Sequence, residues 1–149
     1  PKALLTEAPK LSGTDGRKMS KSYGNTVALA ESPSAIRVTV QKMFTDPQRI
    51  KMTDAGHPET CNACGYWKVF SPQGYARLWE ECRTAARGCV QNKRELAEAL
   101  VALTEPFRAA RARYRTEDVE RILQDGAKKA RVIAQQTIAE VKHAFGLAG

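Results

Sequence analysis

Ser32-Pro33-Ser34-Ala35-Ile36-Arg37-Val38-Thr39-Val40-Gln41-Lys42-Met43-Phe44 is the stretch on which the fold turns. Ser32 suits a helix N-cap, and Pro33 suits the first helical position, where a missing N–H has no partner to lose. Ile36, Val40, Met43 and Phe44 then recur on one helical face, and Asp46-Pro47 ends the run. Upstream, Pro9, Gly13, Asp15-Gly16 and Gly24-Asn25 break the chain too often for a helix. Ala3-Leu4-Leu5-Thr6 is the one extended candidate there. Residues 1–31 therefore read as an irregular head, too small to fold without a neighbour.

Downstream the helical pattern recurs. Residues 45–71 are rich in turn residues, with Gly56, Pro58 and Gly65. Ser71-Pro72 repeats the start signal, and Tyr75, Leu78, Trp79, Cys82 and Ala86 follow as a stripe closed by Gly88. Asn92 with Glu95 predicts the cap of a further helix, whose apolar face is Leu96, Leu100, Leu103 and Phe107. Pro106 is expected to kink or split it. Thr116 is expected to cap the last helix, with Glu117 and Asp118 facing its dipole. Val119, Ile122, Leu123, Ala130, Ile133, Thr137, Val141 and Phe145 form its stripe, and Gly146 ends it. Gly126 lies on that stripe and predicts close helix packing. The expected fold is mainly α: a helical bundle over residues 32–149 behind the head at 1–31.

Composition fits that fold and narrows the function. The chain has 149 residues, 42% hydrophobic and 27% charged, which excludes collagen-like and wholly disordered chains. No run of about 18 apolar residues is present to span a bilayer. The chain opens on Pro1 without a basic-then-apolar leader, so a processed chain or a piece of a longer protein is expected, and a cytoplasmic one. Lys and Arg number 24 against 16 Asp and Glu, a net charge of +8, which suits anionic partners. The local peak is Arg108, Arg111, Arg113 and Arg115, read either as a solvated helix face or as phosphate contacts.

Two constellations carry chemistry. Gly16-Arg17-Lys18-Met19-Ser20-Lys21-Ser22-Tyr23-Gly24-Asn25 places two lysines among hydroxyls and glycines in a loop. Ammonium groups are mobile point charges for phosphate oxygens, and hydroxyl and loop N–H groups add donors. The four cysteines, Cys61, Cys64, Cys82 and Cys89, include a Cys-x2-Cys pair of metal-binding spacing. Without an oxidising compartment, reduced thiols or metal ligands are expected rather than disulfides.

Lys18-Met19-Ser20-Lys21-Ser22 resembles, letter for letter, the KMSKS motif of class I aminoacyl-tRNA synthetases. The flanks Leu11-Ser12-Gly13-Thr14-Asp15-Gly16 and Tyr23-Gly24-Asn25 are similar to the tryptophanyl family in particular, as are Thr45-Asp46-Pro47 and Asp54-Ala55-Gly56-His57-Pro58. The resemblance implies activation of tryptophan by ATP with Mg, then transfer to tRNA(Trp). It implies ATP contacts from Lys18, Met19, Ser20, Lys21 and Ser22. Lys18 and Lys21 would be catalytic, with Lys21 stabilising the departing pyrophosphate. It further implies that residues 1–31 end a Rossmann catalytic domain and that residues 32–149 bind the anticodon, with Arg108, Arg111, Arg113 and Arg115 as candidate tRNA contacts. His57 and His143 do not form the His-x-Gly-His motif of the family's other half. The chain is thus expected to be the C-terminal part of an enzyme, inactive alone, whose full-length form is a homodimer. The head, lacking its sheet, is expected to be poorly ordered.

Some members of the family carry a four-iron cluster ligated in Cys-x22-Cys-x6-Cys-x2-Cys order. Cys61, Cys82 and Cys89 resemble the first three ligands, but Asn92 stands at the fourth, with Cys64 as an extra thiol. A 4Fe-4S cluster, zinc and unligated thiols are the three states this set admits. A stand-alone helical RNA-binding module with a cysteine metal site is the competing reading; it leaves the lysine loop unexplained.

Overall fold

The structure is a computed structural model that describes residues 2–5 and 10–147. The chain divides into two compact units, Pro1–Arg108 and Ala109–Gly149. Its helices are α1 (Pro33–Gln41), α2 (Asn62–Phe70), α3 (Pro72–Arg83), α4 (Cys89–Ala112) and α5 (Thr116–Ala144), and no strand occurs among the described residues. Ala3–Leu5 therefore do not form the expected strand, while Thr6, Pro9 and Pro1 lie outside the described residues.

α1 starts as its sequence predicts. The Ser32 hydroxyl accepts from Ala35 N at 3.2 Å, and Pro33 takes the first turn. Ile36 and Val40 are fully buried and Met43 nearly so, while Phe44 is exposed, its ring standing against Gly16. Around α1 the first unit assembles its core from Ala63, Cys64 and Tyr66 of α2, Leu78 and Cys82 of α3, and Leu96, Ala97 and Leu100 of α4. Full burial of a side chain such as Ile36 or Leu96 contributes about 1.5–3 kcal/mol.

The head finds its neighbour within this unit. Leu11, Met19 and Val27 pack on the core. The Tyr66 hydroxyl donates to Ser12 O at 2.7 Å, Asn62 Nδ2 to Gly13 O at 2.7 Å, and Phe44 N to Thr14 O at 2.7 Å. Residues 10–27 thus pack on the helices of this unit rather than on a sheet.

Several helix boundaries differ from the pattern reading. α2 was hidden by its turn-like residues, and Gly65 sits in it facing open space. Ser71 precedes α3 but its side chain caps nothing. α3 stops at Arg83, Ala85 takes a left-handed φ of 58°, and Gly88 leads into α4 rather than closing α3. Asn92 is not a cap: it is buried inside α4, where its Oδ1 accepts from the Trp67 indole at 2.7 Å. Pro106 lies inside α4 without splitting it.

In the second unit Arg115, not Thr116, is the N-cap of α5, and the Asp118 carboxylate accepts from Arg115 N at 3.2 Å. None of α5 is buried, and a Cβ at Gly126 would meet nothing, so close packing at that glycine is not found. Gly146, at φ 67°, follows its end.

Candidate functional site: the lysine loop, the thiols and two basic clefts

The loop at 12–26 has almost no ladder pairing to hold it. A single antiparallel bridge joins Ser12 to Lys18, and one tight turn spans Lys21–Tyr23. Gly16 and Gly24 take left-handed φ values of 81° and 63°, which a residue with a Cβ adopts only with strain. Buried Asn25 supplies the missing pairing. Its Oδ1 accepts from Ser20 N at 2.8 Å, and its Nδ2 donates to Lys18 O at 3.0 Å and to Asp15 Oδ1 at 2.8 Å. Gly13 has to be glycine here, because a Cβ would sit 2.3 Å from the Asn25 amide and 2.9 Å from Asn25 O.

Asp15 completes the frame. It accepts from Arg17 N and Nε at 3.0 and 2.8 Å, and the Arg17 guanidinium stacks over Tyr23 at 4.9 Å. The Asn25 hydrogen bond, aided by Arg17, holds the Asp15 carboxyl down at about 2. Backbone polar groups are thus satisfied by side chains, and the Lys18 and Lys21 side chains remain exposed. A cleft of about 640 Å³ is lined by Lys10, Leu11, Ser12, Gly16, Arg17, Lys18 and Met19. Lys18 and Met19 therefore share one cleft, whereas Ser20, Lys21 and Ser22 are not in its lining. Ser20 and Ser22 pair their hydroxyls at 3.1 Å.

The thiols gather in the core. Cys61 is the N-cap of α2 and Cys64 lies in its first turn; both are buried, as is Cys82, while Cys89 is half-buried. The neighbouring Cys64 side chain lowers the Cys61 thiol, while Cys61 together with burial pushes the Cys64 thiol up. Asn92 Nδ2 donates to Cys64 Sγ at 3.7 Å, so the residue at the fourth cluster position already serves Trp67 and Cys64. Arg49 Nη1 lies 4.0 Å from Cys89 Sγ.

This arrangement does not fit an iron–sulfur cube. The cavity between Cys61, Cys82, Cys89, Arg49 and Arg87 measures about 10 Å³, enough for one water. Among the described residues, no three His, Cys, Asp or Glu side chains are arranged to hold a metal ion. His57 has a structural role instead. Its N and Nδ1 lie 2.8 and 2.9 Å from Oδ2 of buried Asp46, whose Oδ1 accepts from Gln48 N at 2.9 Å. Burial raises the Asp46 carboxyl, but these hydrogen bonds outweigh it and leave it below the ordinary range.

The four arginines do not act alike. In the first unit Arg108 is taken up by its own helix, donating to Thr104 Oγ1 at 2.5 Å, Val101 O at 2.7 Å and Glu105 at 3.0 Å. In the second unit Arg111 and Arg115 line a cleft of about 530 Å³ with Tyr114, Val119 and Ile122, and Arg113 is exposed. A further cleft of about 460 Å³, in the first unit, was not singled out in the sequence: Arg49, Lys51 and Arg94 surround exposed Ile50, Met52 and Val90. Its cations are scattered, so no charge run marks it. Tyr66 is buried, and the Trp67 indole is hydrogen-bonded to Asn92.

A KMSKS loop framed by Asn25 and docked on helices defines a class I aminoacyl-tRNA synthetase segment. The family described as tRNA synthetases class I (W and Y) matches residues 1–105, and the chain belongs to it. Within that family its similar relatives are tryptophan–tRNA ligases. That of Aquifex aeolicus is 44% identical over 99% of this chain and 38% of the relative. That of Thermotoga maritima is 40% identical over 99% of this chain and 46% of the relative. The crystal structure of tryptophanyl-tRNA synthetase from Campylobacter jejuni, complexed with ADP and tryptophan, is similar with a TM-score of 0.78 at 29% identity, covering 93% of this chain and 44% of that one. The chain thus spans less than half the length of these relatives. No described helix is long and apolar enough to cross a membrane.

Proposed function

We propose that the chain is the C-terminal, KMSKS-bearing part of a cytoplasmic, homodimeric tryptophan–tRNA ligase. Residues 1–31 end the nucleotide-binding domain, and residues 32–149 belong to the anticodon-binding region. The tryptophan carboxylate attacks the α-phosphorus of ATP, whose Mg ion arrives with the nucleotide, and pyrophosphate leaves. Such chemistry is positioning plus neutralisation of growing negative charge.

The observation that carries this reading is the complete loop, with Lys18 and Lys21 exposed on a frame built from Asn25 and Asp15. Lys18 and Met19 border the nucleotide, Met19 through its backbone because its side chain packs on the core. Lys21 reaches the departing pyrophosphate, and Ser20 and Ser22 shape the turn or hold phosphate.

Single-stranded RNA is read by stacking on flat or apolar groups beside cations. Arg49, Lys51 and Arg94 around Ile50 and Met52 offer that chemistry, as do Arg111 and Arg115 beside Tyr114. Arg113 is the freer phosphate contact, and Arg108 contributes least, being engaged with Thr104. Pyrophosphate exchange by the full-length protein tests the reading. Tryptophan-dependent exchange is expected, and none from the 149-residue chain alone. Full-length protein without such exchange would overturn it.

A further inference from the structure

We propose that Cys61 and Cys64 are a modification site, a dithiol that a small hydroperoxide closes to a disulfide. Three observations support it. Cys61 is the N-cap of α2 and Cys64 lies three positions on in its first turn, neighbouring positions on the helix surface, and both are buried. Gly65 N donates to Cys61 O at 3.1 Å, so the turn that joins them is closed and spans the short reach a disulfide needs. The space beside Cys61 is water-sized and bordered by Arg49 and Arg87.

That cavity decides the oxidant as well as the role. About 10 Å³ excludes a four-iron cube and a bulky disulfide such as oxidised glutathione, and leaves room for a molecule close to water in size. Cys61 opens on it, and Cys64 does not line it. Cys61 is therefore the attacking sulfur and Cys64 the resolving one.

The Cys61 thiolate attacks one peroxide oxygen, and the O–O bond breaks. The leaving hydroxide takes up the proton that Cys61 lost and departs as water, while Cys61 becomes a sulfenic acid. The Cys64 sulfur then attacks the Cys61 sulfur, and the S–O bond breaks. The hydroxyl leaves with the Cys64 proton as a second water. Two thiols lose two electrons in all, and one peroxide becomes two waters. Cys82 is the competitor, since it lines the same small cavity as Cys61. It is confined on its other side, however, where a Cβ on Gly56 would lie 2.5 Å from its Sγ.

Trypsin separates the candidates, because Cys61 and Cys64 share peptide 52–68, Cys82 lies on 78–83 and Cys89 on 88–93. The reduced full chain, treated with hydrogen peroxide, alkylated and digested, is expected to yield peptide 52–68 unalkylated and two hydrogens lighter. Oxidised glutathione is expected to leave it alkylated at both cysteines. Cys64→Ser should stop at a Cys61 sulfenic acid that dimedone traps, and Cys82→Ser should still close the 52–68 disulfide. Peptide 52–68 joined to 78–83, peptide 52–68 untouched by peroxide, or stoichiometric iron or zinc in the anaerobically isolated chain would each overturn the proposal.

Discussion

The lysine loop and the helical core of the first unit are held by opposite means. The core is held by burial: Ile36, Val40, Tyr66, Leu96 and Leu100 leave water, and their exact partners matter less than their volume. The loop buries few side chains and is held by directional bonds, above all the three made by Asn25. The comparison teaches where reactive groups can stand. A backbone fixed by side-chain hydrogen bonds from beneath leaves Lys18 and Lys21 free on the other side. A loop fixed by apolar packing would have drawn their stems down.

If that separation is real, activity and stability come apart under mutation. The largest effect is expected for Lys21→Ala in the full-length protein: tryptophan-dependent pyrophosphate exchange falls by about 10²-fold or more, the loss typical of one transition-state donor. Its denaturation midpoint and tryptophan affinity should stay near wild type, since the side chain is exposed. An unchanged exchange rate would break the comparison at the loop. Leu96→Ala should do the reverse. It is expected to lose about 2–5 kcal/mol in urea unfolding, from lost transfer energy plus the cavity left behind. Exchange measured well below the unfolding transition should hold.

Asn25→Ala sharpens the comparison because the two means meet there. Ser20 N and Lys18 O lose their partner in a partly buried place, which costs about 1–3 kcal/mol per unpaired group before relaxation. Exchange should fall with stability, unlike in either preceding variant. The same change has a pH signature. Asp15 titrates at about 2 in the folded chain against an ordinary 3.8. The folded state therefore binds its proton less readily than the unfolded one. The stabilisation it brings is fully present above about 4 and disappears as the pH falls towards 2. In Asn25→Ala the Asp15 carboxyl should titrate higher, and that acid-side loss should shrink. A carbon-detected titration of Asp15 in both proteins measures it, and an unmoved Asp15 would refute the Asn25 frame.

What was legible in the sequence divides along the same line. The loop could be read because its chemistry is consecutive, and α1 because Ser32-Pro33 is a local signal. The frame under the loop could not, since Asn62 and Tyr66 reach Gly13 and Ser12 from about fifty positions away. α2 carried a readable stripe in Ala63, Tyr66, Trp67 and Phe70, but Gly65 and the paired cysteines drew the eye to turns. Asn92 looked like a cap because only the fold reveals that the Trp67 indole needs an acceptor there. Arg108 looked free for the same reason: Thr104, which accepts from it, is a helix residue whose hydroxyl also bonds back to Leu100 O. Cysteine spacing suggested a ligand set, whereas the volume left between the thiols is a property of packing that no spacing encodes.

The smallest expected effect tests whether directional bonds matter by their number or by their burial. Arg37 and Glu98 make a two-pronged pair at 2.7 and 2.9 Å, joining α1 to α4, with as good a geometry as anything around Asn25. Both side chains are about half exposed, so water competes for each charge and salt screens the rest. Such pairs typically contribute about 0.2–1 kcal/mol. Arg37→Ala is therefore expected to shift urea unfolding by no more than that, and less at high salt, with pyrophosphate exchange unchanged. A loss as large as that of Asn25→Ala would mean that geometry alone sets the worth of a hydrogen bond in this protein. The contrast between a frame built beneath the loop and a pair laid on the surface would then fail.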